Sequence, residues 1–285
     1  MPLASLQRGP TADAEPFAPV RSIAGRLDGG LLLLCDHASN ALPAAYGRLG
    51  LPDREFDRHI AHDIGARRAT EVMAEMLGAP ALFTTYSRLL IDPNRGADDP
   101  TLVMRLSDGA IVPGNARIDA AEIEHRRRTY FQPYHDTIAD TLRRMTATGT
   151  VPAVVSVHSF TPCWKSVARP WHVGLLWDND PRLAVPLLAA LAAEPDLQPS
   201  DEKVGDNEPY DGALPGDTID IHATRNGLAN VLIEVRQDLM ATDRDAEAWG
   251  CRLARLLAPI LGRPDIHRIE MHPARAGAGR RLAAL

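Results

Sequence analysis

Two histidines of the chain each lie at the end of an apolar run that is typical of a β-strand. His37 ends the run LLLLCDH at residues 31–37, and His158 follows the run VVSV that begins at residue 154. In an open α/β sheet, ligands bind beside the carboxyl ends of the strands. A histidine in that position is suited to metal binding or to acid–base catalysis. A buried histidine is also commonly a hydrogen-bonded structural residue, so the metal site and the structural role stay open as alternatives.

A third protein ligand would complete a catalytic zinc site, which leaves one position for water. The candidates are Asp63, with its neighbour His62, and Asn40, which follows the first histidine by three residues. Glu234 lies in the apolar run VLIEV, where a carboxylate is costly unless it is paired or functional. Beside a metal it would accept a proton from water and later pass it to a leaving amine. The alternative for Glu234 is a structural ion pair with an arginine.

Three hydrogen-bond donors cluster around the end of the second apolar run, at residues 81–91. Arg88 lies within this run, and Asn94 and Arg95 follow it in the turn DPNRG. Guanidinium groups bind carboxylates with two parallel hydrogen bonds, and they also polarise a carbonyl on which negative charge develops. We therefore expect these donors to bind a substrate, although Asp92 and Arg95 are equally suited to anchoring the turn.

A polar, turn-rich segment at residues 198–226 is expected to border the site. Its turn NEPYDG is predicted to form a lid that contributes Tyr210, and His222 and Arg225 follow in the same segment. Both are expected to meet a substrate, whereas His135, which lies in a predicted helix, is expected to pack.

The composition is that of an ordinary globular protein, with 285 residues, 45% hydrophobic residues and a net charge of -6. No basic stripe suited to nucleic acid is present, and the short run at residues 126–128 is expected to form a solvated helix face. Three widely spaced cysteines do not favour a disulfide framework, and Cys35 is expected in the core. Without a signal peptide or a membrane-spanning run, a cytoplasmic protein is expected.

Common catalytic motifs are absent from the sequence. It contains no H-E-x-x-H, no G-x-S-x-G elbow, no P-loop and no G-x-G-x-x-G. The helical zinc proteases, the serine hydrolases and the common nucleotide-binding classes are therefore disfavoured.

Strand-like runs alternate with helical patterns along the chain, which predicts a three-layer α/β/α fold with a mainly parallel, mixed central sheet. We expect an N-terminal arm over residues 1–28, a single catalytic domain over 29–265 and a C-terminal tail over 266–285. The predicted strands cover residues 31–36, 81–91, 151–157, 171–178 and 228–236. The predicted helices cover residues 53–78, 119–145 with a bend at Pro133, 181–193 and 243–261.

Six segments in this order resemble the N-formylglutamate amidohydrolase family, over about residues 30–240. These segments are DHASN at 36–40, HDIGA at 62–66, SR at 87–88 with DPNR at 92–95, SVHSF at 156–160, NEPY at 207–210 and LIEVR at 232–236. The family is similar in turn to the zinc carboxypeptidases and aspartoacylase. The resemblance implies a phosphorylase/hydrolase-like fold and metal-dependent hydrolysis of the amide of an acidic N-acyl amino acid.

Carried over by position, the resemblance gives roles to individual residues. His37 and His158 match the two zinc histidines, and Glu234 matches the general base. Arg88 matches the arginine that polarises the scissile carbonyl. The pair that holds the substrate carboxylate corresponds to Asn94 and Arg95, with Arg225 as a further expected contact.

One position departs from the wider superfamily, which has a glutamate ligand three residues after the first histidine. This chain has Asn40 there, a poor zinc ligand, and Asp63 is the expected replacement. If neither Asn40 nor Asp63 is a ligand, the site would bind its metal weakly or would bind a metal other than zinc.

Two further hypotheses remain open at this point. The substrate could be another N-acyl amino acid or a peptide-like amide, since the pocket cannot be read from the sequence. A non-catalytic binding protein on the same fold is the third hypothesis, and Asn40 supports it. No membrane or nucleic-acid partner is expected, and the sequence does not indicate an oligomeric state.

Overall fold

The computed structural model describes residues 17–273 and residue 275. Seven strands form one central sheet: β1 (Val20–Ile23), β2 (Leu31–Cys35), β3 (Ala81–Thr84), β6 (Ala153–Phe160), β9 (Val173–Leu176), β10 (Val204–Asp206) and β11 (Asn230–Arg236). Two small hairpins lie outside it, β4 (Leu106–Ser107) with β5 (Ala110–Ile111), and β7 (Cys163–Trp164) with β8 (Val167–Ala168).

The strand order is β1-β3-β2-β6-β11-β9-β10, and the four central strands run parallel. The two antiparallel neighbours are β1 on β3 and β9 on β11. The α-helices are α1 (Ala66–Leu77), α2 (Ala120–Arg126), α3 (Gln132–Thr146), α4 (Pro181–Ala192), α5 (Ser200–Lys203), α6 (Thr218–His222) and α7 (Asp243–Leu261). The predicted α/β fold with a mixed, mainly parallel sheet is confirmed.

Strand β2 explains why the sheet has a helical layer on each face. Successive side chains of a strand point to opposite faces, and every residue of β2 is buried. Leu33 and Cys35 pack in the cluster that also contains residues of α1, α4 and α7. Leu32 and Leu34 pack in a second cluster with residues of α3 and α6. A strand buried on both faces reads as the unbroken apolar run seen in the sequence, and the core position of Cys35 is confirmed.

The predicted helix over residues 53–78 is wrong in its first half. Asp53–Asp57 forms a short 3-10 turn, and α1 begins only at Ala66. Gly65 precedes it with a φ of 80°, a left-handed conformation that interrupts helical winding. Phe56 and Ile60 are buried, but the segment that carries them is a 3-10 turn followed by irregular chain and not an α-helix. Helix-like spacing of apolar residues therefore misled the prediction.

The predicted strand over residues 81–91 is also too long, because β3 ends at Thr84. Leu89, Leu90 and Ile91 are fully buried, but they pack in two side clusters under the loops rather than in the sheet. Apolar residues extended the sequence pattern beyond the point where the chain leaves the sheet.

The predicted helix over residues 119–145 is present, and Pro133 does not break it. A π-helical turn at Arg127–Phe131 joins α2 to α3 directly before the proline. The expectation of a solvated basic run is wrong for Arg126, which is 2% exposed. Its guanidinium donates hydrogen bonds to the carbonyl oxygen of Leu90 and to other buried acceptors.

Parts of the expected arm and tail contact the sheet and its core. Strand β1 lies within the expected arm and pairs with β3 at one edge of the sheet. In the expected tail, Ile266 is fully buried and the ring of His267 hydrogen-bonds the Val151 carbonyl. Residues 1–16, 274 and 276–285 lie outside the described part of the chain. In that part, no helix has the length and apolar character needed to cross a membrane.

Candidate active site

The strand register brings three candidate residues together at the carboxyl ends of the central strands. His37 lies two residues beyond the end of β2, while β6 runs on through His158 to Phe160. In the parallel pairing of β6 with β11, His158 lies directly opposite Glu234. Paired residues of neighbouring strands project to the same face. The two imidazole rings also meet edge to face, with centroids 4.9 Å apart.

Both histidines turn the same ring nitrogen toward one carboxylate. Nδ1 of His158 lies 2.8 Å from Oδ2 of Asp63, and Nδ1 of His37 lies 3.3 Å from the same oxygen. The three residues are buried, and one potential ligand atom from each lies within 4.8 Å of the others. Two imidazole nitrogens and one carboxylate oxygen make a donor set that a zinc ion accepts.

The outer nitrogen of each ring is held by a further carboxylate. Nε2 of His37 lies 2.8 Å from Asp92, and Nε2 of His158 lies 2.9 Å from Asp36. An imidazole that donates its Nε2 hydrogen to a carboxylate keeps the lone pair of Nδ1 for a metal ion. The carboxylate on the outside of each ring therefore favours the tautomer that a metal ligand needs.

Asp36 is the centre of a buried hydrogen-bond network. Besides His158, it accepts hydrogen bonds from the hydroxyl of Tyr134 at 2.9 Å and from that of Ser156 at 2.7 Å. Burial alone would raise the pKa of Asp36, but the hydrogen bonds and the neighbouring histidines lower it to about 2. The carboxylate is thus ionised, and it orients the ring of His158.

Asp63 is positioned by the loops that surround it. Its backbone N–H donates to the carbonyl oxygen of His37 at 3.0 Å, and the Ser159 N–H points at its Oδ2 from 3.3 Å. Asn40, the alternative third ligand, is instead turned away, because its side-chain nitrogen donates to the carbonyl oxygen of Phe56 at 2.9 Å. The structure brings Asp63 to the two histidines and does not bring Asn40 there.

Glu234 has a buried oxygen that is not hydrogen-bonded. Glu234 is 7% exposed, and its Oε2 has no hydrogen-bond partner among the described residues. Burial raises the pKa of Glu234 to about 7, against the opposing charge of His158. A carboxyl group with such a pKa takes up and releases protons near neutral pH.

Arg88 lies between two of these carboxylates. Its Nη2 donates to Oδ2 of Asp92 at 2.6 Å, and its Nη1 lies 3.7 Å from Oδ1 of Asp63. The ion pair with Asp92 fixes the guanidinium beside the histidine cluster. Arg88 therefore points into the site, with its charge balanced by acids that also contact the histidines.

The DPNR turn, residues 92–95, is braced from several sides. The backbone N–H of Asn94 donates to Oδ1 of Asp92, and its side-chain oxygen accepts from the N–H of Thr218. Nη1 of Arg95 donates to the Asn94 carbonyl at 2.7 Å. The anchoring role considered for Asp92 is thus realised, while the ligand contacts expected of Asn94 and Arg95 stay a prediction.

The two residues expected beyond this turn differ in their surroundings. His222 is buried and its Nε2 lies 2.8 Å from Nδ1 of His135, whose other nitrogen donates to the carbonyl oxygen of Pro93. Burial and, to a smaller extent, the neighbouring His135 lower the pKa of His222 to about 4. Among the described residues, His222 therefore contacts His135, which holds the DPNR turn from behind. The expected substrate contact of Arg225 is not supported, because its side chain is 59% exposed and ion-paired with Asp220.

Tyr210 lies at the mouth of the site and is 42% exposed. Its hydroxyl oxygen accepts a hydrogen bond from Arg169 at 3.0 Å. Burial of its ring raises the pKa of Tyr210, and the charge of Glu234 raises it further while Arg169 opposes the shift. The expected lid residue is therefore close enough to Glu234 to sense its charge.

Sequence reasoning missed the residues that hold the site from behind. Asp36 precedes a predicted histidine, and an ionisable residue at the end of an apolar run beside that histidine is the signal that would have found it. Asp92 was considered only as a turn anchor and His135, with its neighbour Tyr134, only for packing, and Arg169 was not singled out. Their contacts join segments far apart in the chain, which spacing alone does not reveal.

Comparisons with known proteins agree with this arrangement. The model of the N-formylglutamate amidohydrolase family matches residues 29–241. Among solved structures, a gene product from Agrobacterium tumefaciens is 33% identical, with a TM-score of 0.79, over 86% of this chain and 96% of that chain. The N-formylglutamate amidohydrolase from Ralstonia eutropha is 21% identical with a TM-score of 0.61, over 86% of this chain and 97% of that chain, and shares the fold. No match is found among curated proteins.

The family match spans more than half of the chain, including β2, β6, β11 and the loops that follow them. It also contains every residue of the histidine–carboxylate cluster. The resemblance drawn from the sequence is confirmed: the chain belongs to the N-formylglutamate amidohydrolase family.

Proposed function

We propose that the protein is a metal-dependent amidohydrolase that cleaves the amide of N-formylglutamate into formate and glutamate. The observation that carries this proposal is the convergence of Nδ1 of His37 and Nδ1 of His158 on one oxygen of Asp63, at 3.3 and 2.8 Å. Family membership supports the reaction, and the geometry supports the involvement of a metal.

The donor set fits a zinc ion. Each histidine has its outer nitrogen engaged by a carboxylate, so that the inner nitrogen is free to bind a cation. His37, Asp63 and His158 would hold the ion. When bound, it would supply Lewis acidity to the scissile carbonyl and make a water molecule more acidic.

Glu234 is the residue proposed to move the proton. Its buried oxygen without a hydrogen-bond partner and its pKa of about 7 suit a group that takes a proton from water and returns it to the leaving amine. Arg88 would donate to the carbonyl oxygen as negative charge develops there. Asn94 and Arg95 would hold the α-carboxylate, and their brace from Thr218 keeps that turn in place.

Formate release from N-formylglutamate tests the proposal directly. We expect turnover by the purified protein, loss of turnover after dialysis against a chelator and recovery on addition of zinc. Glu234→Gln is expected to lower kcat by about 10²- to 10⁴-fold without changing the zinc content, because the substituted residue is not a proposed ligand.

Glu247→Gln is a matched control, since this half-exposed glutamate on α7 pairs with Arg68 of α1 and is not part of the histidine–carboxylate cluster. It should keep wild-type turnover. Unchanged kcat in the Glu234→Gln variant would reject the assigned base. Absence of formate release by the zinc-loaded protein would reject the substrate, and activity that resists complete metal removal would reject the metal.

A further inference from the structure

The proposed substrate carries two carboxylates, and the residues considered so far account for one. Asn94 and Arg95 serve the α-carboxylate, while Arg88 is already balanced by Asp92 and Asp63. Arg225 is exposed and paired with Asp220. A buried carboxylate needs a charged or hydrogen-bonding partner, so the side-chain carboxylate requires a further cation at the site.

Arg169 lies at the end of the sheet where the site is, and it is the candidate for this cation. It follows the β7–β8 hairpin, and its guanidinium carbon lies 5.8 Å from the ring centroid of Phe160. Phe160 is two residues beyond His158 in β6, so both side chains project from the same face, about 7 Å apart along the strand. Arg169 therefore contacts the strand that carries His158, at the next side chain along the same face.

The rings and hydrogen-bond acceptors that contact the guanidinium of Arg169 are neutral, while Lys165 and Glu208 line the cavity beside it. Its carbon lies 5.6 Å from the Trp164 ring centroid and 4.9 Å from that of Tyr210. Nη1 donates to the Tyr210 hydroxyl at 3.0 Å and points toward the carbonyl oxygen of Thr161 at 3.4 Å. Among the salt bridges of the described residues, none involves Arg169. Its charge is thus oriented by aromatic rings but not neutralised by an acid.

The backbone around Arg169 is fixed to the strand that carries Glu234. Nη1 of Arg236, in β11, donates to the carbonyl oxygens of Arg169 at 3.2 Å and of Pro170 at 3.1 Å. A cavity of about 310 Å³ adjoins the hairpin, and its lining includes Trp164, Arg169 and Pro209. The arginine is therefore anchored at its backbone and borders a cavity.

We propose that Arg169 binds the side-chain carboxylate of the substrate and selects acidic N-acyl amino acids over their neutral amides. The inference rests on the proposed function. Because the Tyr210 oxygen accepts from Arg169, its own hydrogen remains available to the same carboxylate. The planar guanidinium fork matches a carboxylate with two parallel hydrogen bonds, which a neutral amide cannot accept in the same way.

The test compares N-formylglutamate with N-formylglutamine, which has the same shape without the charge. The wild-type protein is expected to favour the acid. Arg169→Met keeps much of the apolar stem and removes the charge, and it should lower kcat/KM for N-formylglutamate by about 10- to 100-fold, mainly through KM. For N-formylglutamine the change should stay below about threefold, so the preference collapses. Arg169→Lys should retain part of it.

Arg255→Met is the control, since this exposed arginine of α7 pairs with Glu194 away from the site. It should keep the wild-type ratio of the two kcat/KM values. Thermal unfolding of each variant checks that the fold is intact. Equal loss on both substrates, or an unchanged ratio in Arg169→Met, would overturn the role of Arg169 while formate release by the wild type still supports the proposed function. Absence of that release would instead overturn the reaction itself.

Discussion

Asp63 occupies the position where the histidines, an arginine and the backbone of β6 converge. Its Oδ2 faces both Nδ1 atoms and the Ser159 N–H, while its Oδ1 is 3.7 Å from Arg88. In the tautomers that Asp36 and Asp92 favour, two imidazole lone pairs and a buried carboxylate face one another, an arrangement that is costly without a cation between them. These contacts favour Asp63 over Asn40 as the third ligand.

The zinc affinity of variants at Asp63 and Asn40 distinguishes between the two candidate ligands. Asp63→Ala should weaken zinc binding by more than about 100-fold, since loss of even an outer partner of a ligand costs 10- to 100-fold. Asn40→Ala should keep the wild-type zinc affinity and lose about 1 kcal/mol of the free energy of unfolding, because its hydrogen bond to Phe56 is removed. Competition titration with a chromophoric chelator measures both. Loss of zinc affinity in Asn40→Ala with retention in Asp63→Ala would reverse the assignment.

Several site residues were predictable because their position relative to a strand is local information. His37, His158 and Glu234 follow or interrupt apolar runs, and such residues stand out in the sequence. The roles of Asp36 and Arg169 depend on contacts between distant segments. Their residue types did not distinguish them from ordinary surface charges, so only the folded chain assigns them partners.

Helix α6 and helix α3 together support the DPNR turn. Thr218, at the start of α6, bonds to Asn94, and His222, at its end, bonds to His135 of α3, which donates to Pro93. The two rings stack with their centroids 5.0 Å apart. This brace requires a neutral His135, because its Nδ1 accepts while its Nε2 donates, and burial disfavours a charge on His222.

The brace predicts a pH dependence of stability. The pKa of His222 is about 4 in the folded protein, below the value of about 6.5 for an unfolded chain. Between these pH values the unfolded chain binds a proton that the folded protein does not. The free energy of unfolding should therefore fall by about 3 kcal/mol as the pH decreases from 6.5 to 4.

Denaturant unfolding of His222→Gln at several pH values measures this contribution. The variant should lack this part of the pH dependence, whereas His125→Gln, at an exposed position of α2, should retain it. A wild-type slope in the His222 variant would show that the pair does not stay neutral in the fold.

At the element level, sequence reasoning located strands better than it located their ends. Strand β2 is a short buried run whose neighbours are polar, so its limits are visible in the composition. The runs around Phe56 and Leu89 are apolar because loops bury them in their own clusters. Apolar residues buried under a loop and apolar residues buried on a helix give the same sequence pattern when their spacing agrees. Gly65 is the local signal that the helix begins only after it.

Across the whole molecule, the proposed metal site takes His37 and Asp63 from the chain between β2 and α1 and His158 from β6, and Asp92 after β3 holds the ring of His37. Metal binding should therefore stabilise the entire fold. Free zinc at about 100 times its Kd contributes about 2.7 kcal/mol if the unfolded chain does not bind it. For a domain of this size that corresponds to a rise in Tm of roughly 5 to 10 °C.

Calorimetry of chelator-treated protein with and without added zinc measures the rise in Tm. Asp63→Ala should show little or no rise at the same zinc concentration. An equal rise in both proteins would place the stabilising zinc elsewhere, and no rise in the wild type would contradict binding by the cluster. The division into one domain over 29–265 stays a prediction.

The π-helical turn at Arg127–Phe131 has a consequence for insertions and deletions. An α-helix rotates by about 100° per residue, and a π turn holds one more residue than an α turn would. Deletion of one residue there would convert the π turn into an α turn and leave the orientation of α3 nearly unchanged, so Tyr134 would stay at Asp36 and His135 at Pro93. Deletion of a residue within the regular winding of α2 or at the start of α3 would instead rotate one part of the helix against the other by about 100°. The extra residue is thus accommodated at one place in the chain without disturbing the ring of a proposed metal ligand or the DPNR turn.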